Sequence, residues 1–187
     1  MKRKNFLLTL FAVMPSAAFI QMKINNNLRT NRGFKVESDG ARFGVRFKMK
    51  GVTVNTLDIK ISGKDTAGDL AVFEQTGQTP NGGPPLHIHP FQDEWFYVVE
   101  GEYLFQVGEE KYKMKPGDTI FLPPNVKHAF VQLTSKAKTL VSYLPAGKME
   151  EFFAVTDKWN MPPSAEEIYK VFADHEMQVV GPPLKME

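Results

Sequence analysis

The chain has 187 residues, enough for one domain with a hydrophobic core and too few for two comfortable domains. Thirteen prolines and fourteen glycines favour frequent turns, and a formal net charge of +2 without a basic cluster predicts no binding to nucleic acid. The absence of cysteine excludes disulfides and thiolate ligands, so a metal ion would be held by nitrogen and oxygen atoms.

The N-terminal segment has the pattern of a secretory signal. Three basic residues at 2–4 precede an uncharged, largely apolar run at 6–20 that contains Pro15. We therefore predict a signal peptide over residues 1–20, export to the periplasm or the medium, and no stable membrane span. The basic residues also resemble a twin-arginine signal with Lys in the second place. The alternative is an ordinary N-terminal helix that packs on the domain.

The next residues divide into an arm and a domain. Residues 21–40 show little periodicity and are predicted to form an N-terminal arm, followed by a single domain over 41–187. From residue 41 onwards, apolar residues alternate with Arg and Lys, which predicts a half-buried strand. Its apolar face would consist of Phe43, Val45, Phe47 and Met49.

Many short strands follow at close spacing. Two-residue alternation or short apolar runs predict strands around 57–61, 70–72, 95–99, 119–122, 127–133 and 139–144. Glu100-Gly101 and Gly108-Glu109 are predicted hairpin turns, and a further tight turn is predicted at 115–118. This pattern indicates a sandwich or a barrel, with its core at 68–145.

The segment 146–187 changes to a helical period. A short helix is predicted around Phe152 and Phe153, with Glu150 and Glu151 on its solvated face. A second helix is predicted after the capping box formed by Ser164 and Glu167, and a closing strand at 177–180. His175 lies near the end of that helix, where a packed histidine is the usual case.

Three of the four histidines fall in the strand-rich centre and suggest a metal site. His87 and His89 are two residues apart on a predicted strand, so both imidazoles point to the same face. Glu94 follows after a short connection, and His128 arrives on a later strand. Three imidazoles and one carboxylate suit one divalent ion of Fe, Mn, Ni, Co or Zn, with positions left open on an octahedral ion.

These residues lie in two motifs that resemble those of the cupin superfamily. The string H-x-H-x4-E-x6-G is read as His87, His89, Glu94 and Gly101, and the string G-D-x4-P-x4-H is read as Gly117, Asp118, Pro123 and His128. The second motif often has Gly where this chain has Asn125, a residue that tolerates positive φ. The resemblance implies an all-β double-stranded β-helix, the jelly-roll barrel, with short C-terminal helices.

Residues on the same strand faces as the ligands are predicted to line a substrate pocket. Phe96 and Val98 share the face of Glu94, and Phe130 and Gln132 share that of His128. An apolar pocket of this kind suits an aromatic small molecule. The alternative is that these side chains simply fill the interior of a small barrel.

Within the superfamily, the phrases at 83–89 and 145–147 resemble single-domain relatives of bacterial quercetinase. This resemblance implies a metal-dependent dioxygenase that acts on a phenolic or enolisable compound, with Glu94 as ligand and proton acceptor, and a homodimer built on the strand that begins near Phe43. Burial raises the pKa of such a carboxyl group and a cation lowers it. Two alternatives are a binding or sensing module without chemistry and a sugar isomerase.

Overall fold

The computed structural model describes residues 29–50, 54–160 and 162–185. The predicted signal peptide and the first part of the predicted arm lie outside the described residues. The strands are β1 Arg46–Met49, β2 Asn55–Ile61, β3 Ala71–Gly77, β4 Pro85–Ile88, β5 Asp93–Glu100, β6 Tyr103–Val107, β7 Glu110–Met114, β8 Thr119–Leu122, β9 His128–Gln132, β10 Ala137–Leu144 and β11 Gln178–Pro183. The helices are α1 Met149–Thr156 and α2 Ala165–Asp174.

The strands form two antiparallel sheets. The six-stranded sheet has the order β1-β2-β3-β10-β5-β8, and the five-stranded sheet has the order β11-β4-β9-β6-β7. Chain neighbours such as β4 and β5 lie in different sheets, so the chain crosses repeatedly from one sheet to the other. Apolar side chains from both sheets share one core. The predicted double-stranded β-helix is therefore confirmed.

The strands form because their inward side chains alternate. Along β5, Glu94, Phe96 and Val98 are buried, while the residues between them are more exposed. Along β3 the inward residues are Ala71 and Phe73 rather than Leu70 and Val72. The alternation of Leu70 and Val72 in the sequence predicts a strand here but points to the wrong face as buried, because the small Ala71 does not stand out as a core residue.

The strand predicted from residue 41 is shorter than expected. Residues Arg42–Gly44 form a single 3-10 turn, and Phe43 adopts a φ of 57° with its ring 59% exposed. Phe47 and Met49 are buried in the core of the same chain. The apolar face proposed for a homodimer is therefore largely occupied within one molecule.

One of the two predicted hairpin turns is wrong. Gly108 lies in a two-residue turn between the paired strands β6 and β7, as predicted. Gly101 instead joins β5 to β6, which belong to different sheets. It has a φ of 75°, and a Cβ atom there would lie 2.3 Å from the carbonyl oxygen of Lys136. The glycine of the first motif is therefore required by backbone conformation and by close packing.

Both predicted helices are present beside the barrel. α1 buries Phe152 and Phe153, and α2 begins with the predicted capping box of Ser164 and Glu167. Glu150 is not on a solvated face, because its carboxylate accepts hydrogen bonds from Ser62 Oγ at 2.8 Å and from the backbone of Gly63 at 2.7 Å. None of the helices in the described part of the chain is long and apolar enough to cross a membrane.

Candidate metal centre and adjoining cavity

The four predicted ligands meet at one point inside the barrel. His87 lies on β4 directly opposite His128 on β9, Glu94 lies on β5, and His89 follows the end of β4. One possible ligand atom from each residue lies within 4.8 Å of the others. All four side chains are buried. The two sheets thus each contribute ligands to a single cluster.

The outer nitrogen of each imidazole is held by an acceptor. The Nδ1 atoms of His87 and His128 lie 2.8 Å and 2.9 Å from the carbonyl oxygens of Pro85 and Val126. The Nδ1 atom of His89 lies 3.0 Å from Oε1 of Gln92. Because these partners only accept, each Nδ1 carries the proton, which leaves the Nε2 lone pairs free for a cation.

The inner atoms of the cluster lack partners. His89 Nε2, His128 Nε2 and Glu94 Oε2 are buried and make no hydrogen bond of normal geometry. Glu94 Oε2 nevertheless lies 3.0 Å from His128 Nε2 and 3.7 Å from His89 Nε2. Electron-rich atoms at these distances need a positive charge between them. The donor set therefore fits a divalent transition metal ion held by three imidazoles and one carboxylate.

The protonation states also suit a cation. Burial lowers the pKa of His87 well below its ordinary value, and the neighbouring His128 and His89 lower it further. Burial likewise lowers the pKa of His89. Burial raises the pKa of Glu94, but the short polar contact with His128 and the surrounding imidazoles outweigh it and lower that pKa to about 2. At neutral pH the cluster thus offers an ionised carboxylate beside neutral His87 and His89.

Gln92 supports the cluster, and the sequence did not identify it. Its amide nitrogen donates to the carbonyl oxygens of Pro145 and Ala146 at 2.9 Å and 3.1 Å, so its oxygen faces His89. A Cβ atom on Gly147 would lie 2.5 Å from that amide nitrogen. Gln92 therefore fixes both the tautomer and the orientation of His89. Gln92 lies two residues before Glu94 but belongs to no motif or periodic pattern that would have predicted its contact with His89.

Family comparisons agree with this arrangement. The family model described as "Cupin domain" matches residues 77–143, the stretch that contains all four ligands. The chain therefore contains a cupin domain over this stretch. Over 91 residues, 48% of its length, this cupin is 31% identical to quercetin 2,3-dioxygenase of Bacillus subtilis strain 168. Over 43 residues, 23% of its length, it is 42% identical to an uncharacterized protein of Methanocaldococcus jannaschii.

The matched stretches span 26% and 34% of these two relatives. Among solved structures, the polyketide cyclase RemF of Streptomyces resistomycificus has a TM-score of 0.51 at 21% identity, over 62% of this cupin and 80% of that chain. The nucleoside dehydratase Pac13 has a TM-score of 0.51 at 12% identity, over 82% and 95%. At these identities the likeness shows a shared fold.

A mostly apolar cavity adjoins the ligands of this cupin. Its volume is about 80 Å³. Two of the predicted pocket residues, Phe96 and Phe130, line it with their rings 5.5 Å apart. Val98 is fully buried in the core outside the lining. Gln132 is also outside it, because its amide turns away and donates to the carbonyl oxygen of Thr134 at 2.7 Å.

Residues from the first strands and from the C-terminal segment complete the cavity. Motif spacing could not place them, because they come from parts of the chain far from the motifs. They are Met49, Asn55, Leu57, Gln75, Tyr143, Met149, Phe152, Phe153, Thr156, Trp159, Phe172 and Met177. The ring of Phe172 on α2 lies 5.4 Å from that of His87, so the second helix covers one side of the metal site.

The side chain of Tyr143 lies beside two of the four potential metal ligands. It lies opposite Glu94 in the β5–β10 pair, and its ring lies 5.7 Å from that of His89. Burial raises the pKa of Tyr143 well above its ordinary value, and the charge and hydrogen bonding of Glu94 add to this effect. Tyr143 therefore remains a neutral hydroxyl, able to donate to the carboxylate of Glu94.

Proposed function

We propose that this cupin is a metal-dependent dioxygenase that acts on a phenolic or enolisable small molecule. The observation that carries the proposal is the position of Glu94, a buried and ionised carboxylate among three imidazoles at the wall of an aromatic-lined cavity. The partial similarity to a quercetin dioxygenase supports the same reaction class. The predominantly apolar lining disfavours a sugar, whose many hydroxyl groups need polar partners.

The chain's own residues perform three tasks in this proposal. Phe96 and Phe130 hold the substrate ring against the metal site and exclude water. Glu94 Oε2 accepts the proton of the substrate hydroxyl, because it faces the site without a hydrogen bond of normal geometry. The neutral hydroxyl of Tyr143, which lies opposite Glu94 in the β5–β10 pair, is placed to donate to that carboxylate and orient it. A bound divalent transition metal supplies a Lewis acid and a route for oxygen chemistry.

The test pairs metal analysis with oxygen uptake. The purified protein is stripped with a chelator, reloaded in turn with Fe, Mn, Co, Ni and Zn, and assayed with a panel of catechols and flavonols. We expect uptake that depends on the metal and is lost on chelation. Uptake unaffected by metal removal would contradict the proposal, and tight binding without uptake for any metal would assign a binding module.

Substitution of the carboxylate tests its role. Glu94→Gln keeps the side-chain shape but cannot accept the proton, so we expect activity to fall by about 100-fold or more. Because three imidazoles remain, part of the metal content should survive in elemental analysis. The matched control is Glu151→Gln, an exposed carboxylate on α1. Activity of the Glu94→Gln protein equal to that of this control would overturn the proposed role.

A further inference from the structure

The cavity has a second polar end, away from the metal ligands. Tyr143 pairs with both Glu94 and Ala71 at the metal end, whereas Gln75 lies four residues further along β3. This separation is about 13 Å along the strand. Asn55 lies on the neighbouring strand opposite Gly77, two residues beyond Gln75, and both Asn55 and Gln75 line the cavity.

Asn55 has unmet hydrogen-bonding capacity there. Its side chain is 7% exposed, and its amide oxygen is buried without a hydrogen-bond partner. Another polar group at this end, the hydroxyl of Thr156, is already satisfied by the carbonyl oxygen of Phe152 at 2.9 Å. A buried amide oxygen without a partner on the wall of a cavity costs stability unless a ligand donates to it.

The groups between the two ends are apolar. The cavity is lined there by Phe96 and Phe130, each two residues along its strand from the ligands Glu94 and His128, and by Phe153 of α1. A molecule that occupies the cavity thus meets a cation site at one end, aromatic walls in the middle and an amide at the other. A matching ligand would carry metal-binding oxygens at one end, an aromatic ring in the middle and a short arm with a hydrogen-bond donor at the other end.

We propose that Asn55, flanked by Gln75, is the second recognition point of this cavity, and that it selects a phenolic substrate with a hydrogen-bond donor on the side opposite its metal-binding oxygens. This inference rests on the proposed function, because it assumes that a phenol occupies the metal end. It adds a prediction about substrate specificity. A bare catechol would bind only at the metal end, whereas a catechol with a para hydroxyalkyl arm would also donate a hydrogen bond to Asn55.

Two matched probes test the recognition. 4-Ethylcatechol and 4-(2-hydroxyethyl)catechol differ in one terminal hydroxyl group, and their binding to the zinc-loaded protein is measured by calorimetry without oxygen. We expect the hydroxylated probe to bind about tenfold more tightly to the natural protein. In the Asn55→Leu protein this preference should disappear, while 4-ethylcatechol binds as before. Equal binding of both probes to the natural protein would overturn the inference.

The stability of the ligand-free protein gives an independent readout. Asn55→Leu removes a buried amide oxygen that has no hydrogen-bond partner, so we expect a higher midpoint of urea unfolding. A structural role for Asn55 predicts a lower midpoint, which would overturn the inference. The control is Thr139→Val, since Thr139 is also a buried polar residue of the barrel but does not line the cavity. This control should keep the preference between the two probes.

The same measurements distinguish failure of the proposed function from failure of the Asn55 assignment. If neither catechol binds to the natural protein, the phenolic substrate class is wrong. A raised unfolding midpoint for Asn55→Leu would even then support Asn55 as a ligand-facing group. If both catechols bind but the preference survives Asn55→Leu, the phenolic class stands and the assignment of Asn55 is wrong.

Discussion

At the scale of single residues, the candidate metal centre depends on groups that orient its four potential ligands. The three Nδ1 atoms face two backbone carbonyl groups and one side chain, that of Gln92. Backbone carbonyl groups remain after any substitution, whereas the support of His89 can be removed by changing one residue. Gln92 is therefore the most informative position around the ligands.

We expect Gln92→Leu to weaken zinc binding by about 10- to 100-fold, because His89 loses the acceptor that fixes its tautomer. Competition with a chromogenic chelator measures the affinity. Gln178→Leu, which alters an exposed glutamine on β11, serves as the matched control. Unchanged zinc affinity in Gln92→Leu would show that the Gln92 contact does not orient the ligand.

Removal of the Tyr143 hydroxyl should affect catalysis more than metal content. Tyr143→Phe keeps the ring packed against Phe73 and Phe153 but removes the donor to Glu94. We expect kcat to fall by about tenfold, the value of one hydrogen bond to a charged group, at full metal occupancy. Elemental analysis and the pH profile of kcat measure both effects. Loss of metal in parallel with activity would instead make Tyr143 part of the structural support of the site.

At the scale of secondary-structure elements, the position of α2 links helix stability to the site. Ser164 Oγ accepts from the backbone of Glu167 at 3.2 Å, and the carboxylate of Glu167 accepts from the backbone of Ser164 at 2.7 Å. Phe172, near the other end of this helix, packs on His87. Fraying of α2 would therefore uncover one side of the metal site.

We expect Ser164→Ala to destabilise α2 by about 1 kcal/mol, the usual cost of removing an N-cap side chain. Hydrogen exchange should become faster across residues 165–174 while the strands of the barrel remain protected. Ser135→Ala, at an exposed loop position, is the control. Equal protection of α2 in both variants would mean that packing, rather than the cap, holds the helix.

Strands and site residues are predicted most reliably from the sequence where a pattern has a single physical cause. Burial on one face produces the alternation in β5, and the spacing of His87, His89, Glu94 and His128 brings the ligands together. Patterns with two possible causes are less reliable. Alternation beginning at Phe43 predicted a strand, but a positive φ places this residue in a 3-10 turn.

The remaining features depend on contacts between distant segments. The sequence predicts Glu150 to be a surface residue on its helix, yet its carboxylate accepts a hydrogen bond from the backbone of Gly63 in the β2–β3 connection. Asn55 and Gln92 resemble ordinary loop or strand residues until the fold places them beside the cavity and His89. The periodicity of the sequence contains no information on contacts between distant segments, so the roles of these residues can be recognised only from the structure.

At the scale of the whole molecule, buried ligands make stability depend on pH. His87 and His89 have pKa values below the ordinary 6.5 when folded, because burial opposes their positive charge. In the unfolded chain they regain that ordinary value. Below about pH 6.5 the unfolded state therefore binds more protons than the folded state, and stability decreases as the pH falls. Glu94 adds a second loss between pH 4.5 and about 2, since its folded pKa is lower than its unfolded one.

We therefore expect the free energy of unfolding of the metal-free protein to decrease between about pH 7.5 and about pH 5.5. Bound zinc should steepen this decrease, since protons compete with the metal for the imidazoles. Urea unfolding followed by fluorescence, with and without zinc, measures both slopes. In His87→Leu the slope of the metal-free protein should be shallower, because one buried imidazole is gone. A slope that His87→Leu leaves unchanged would assign the acid sensitivity to groups outside the metal centre.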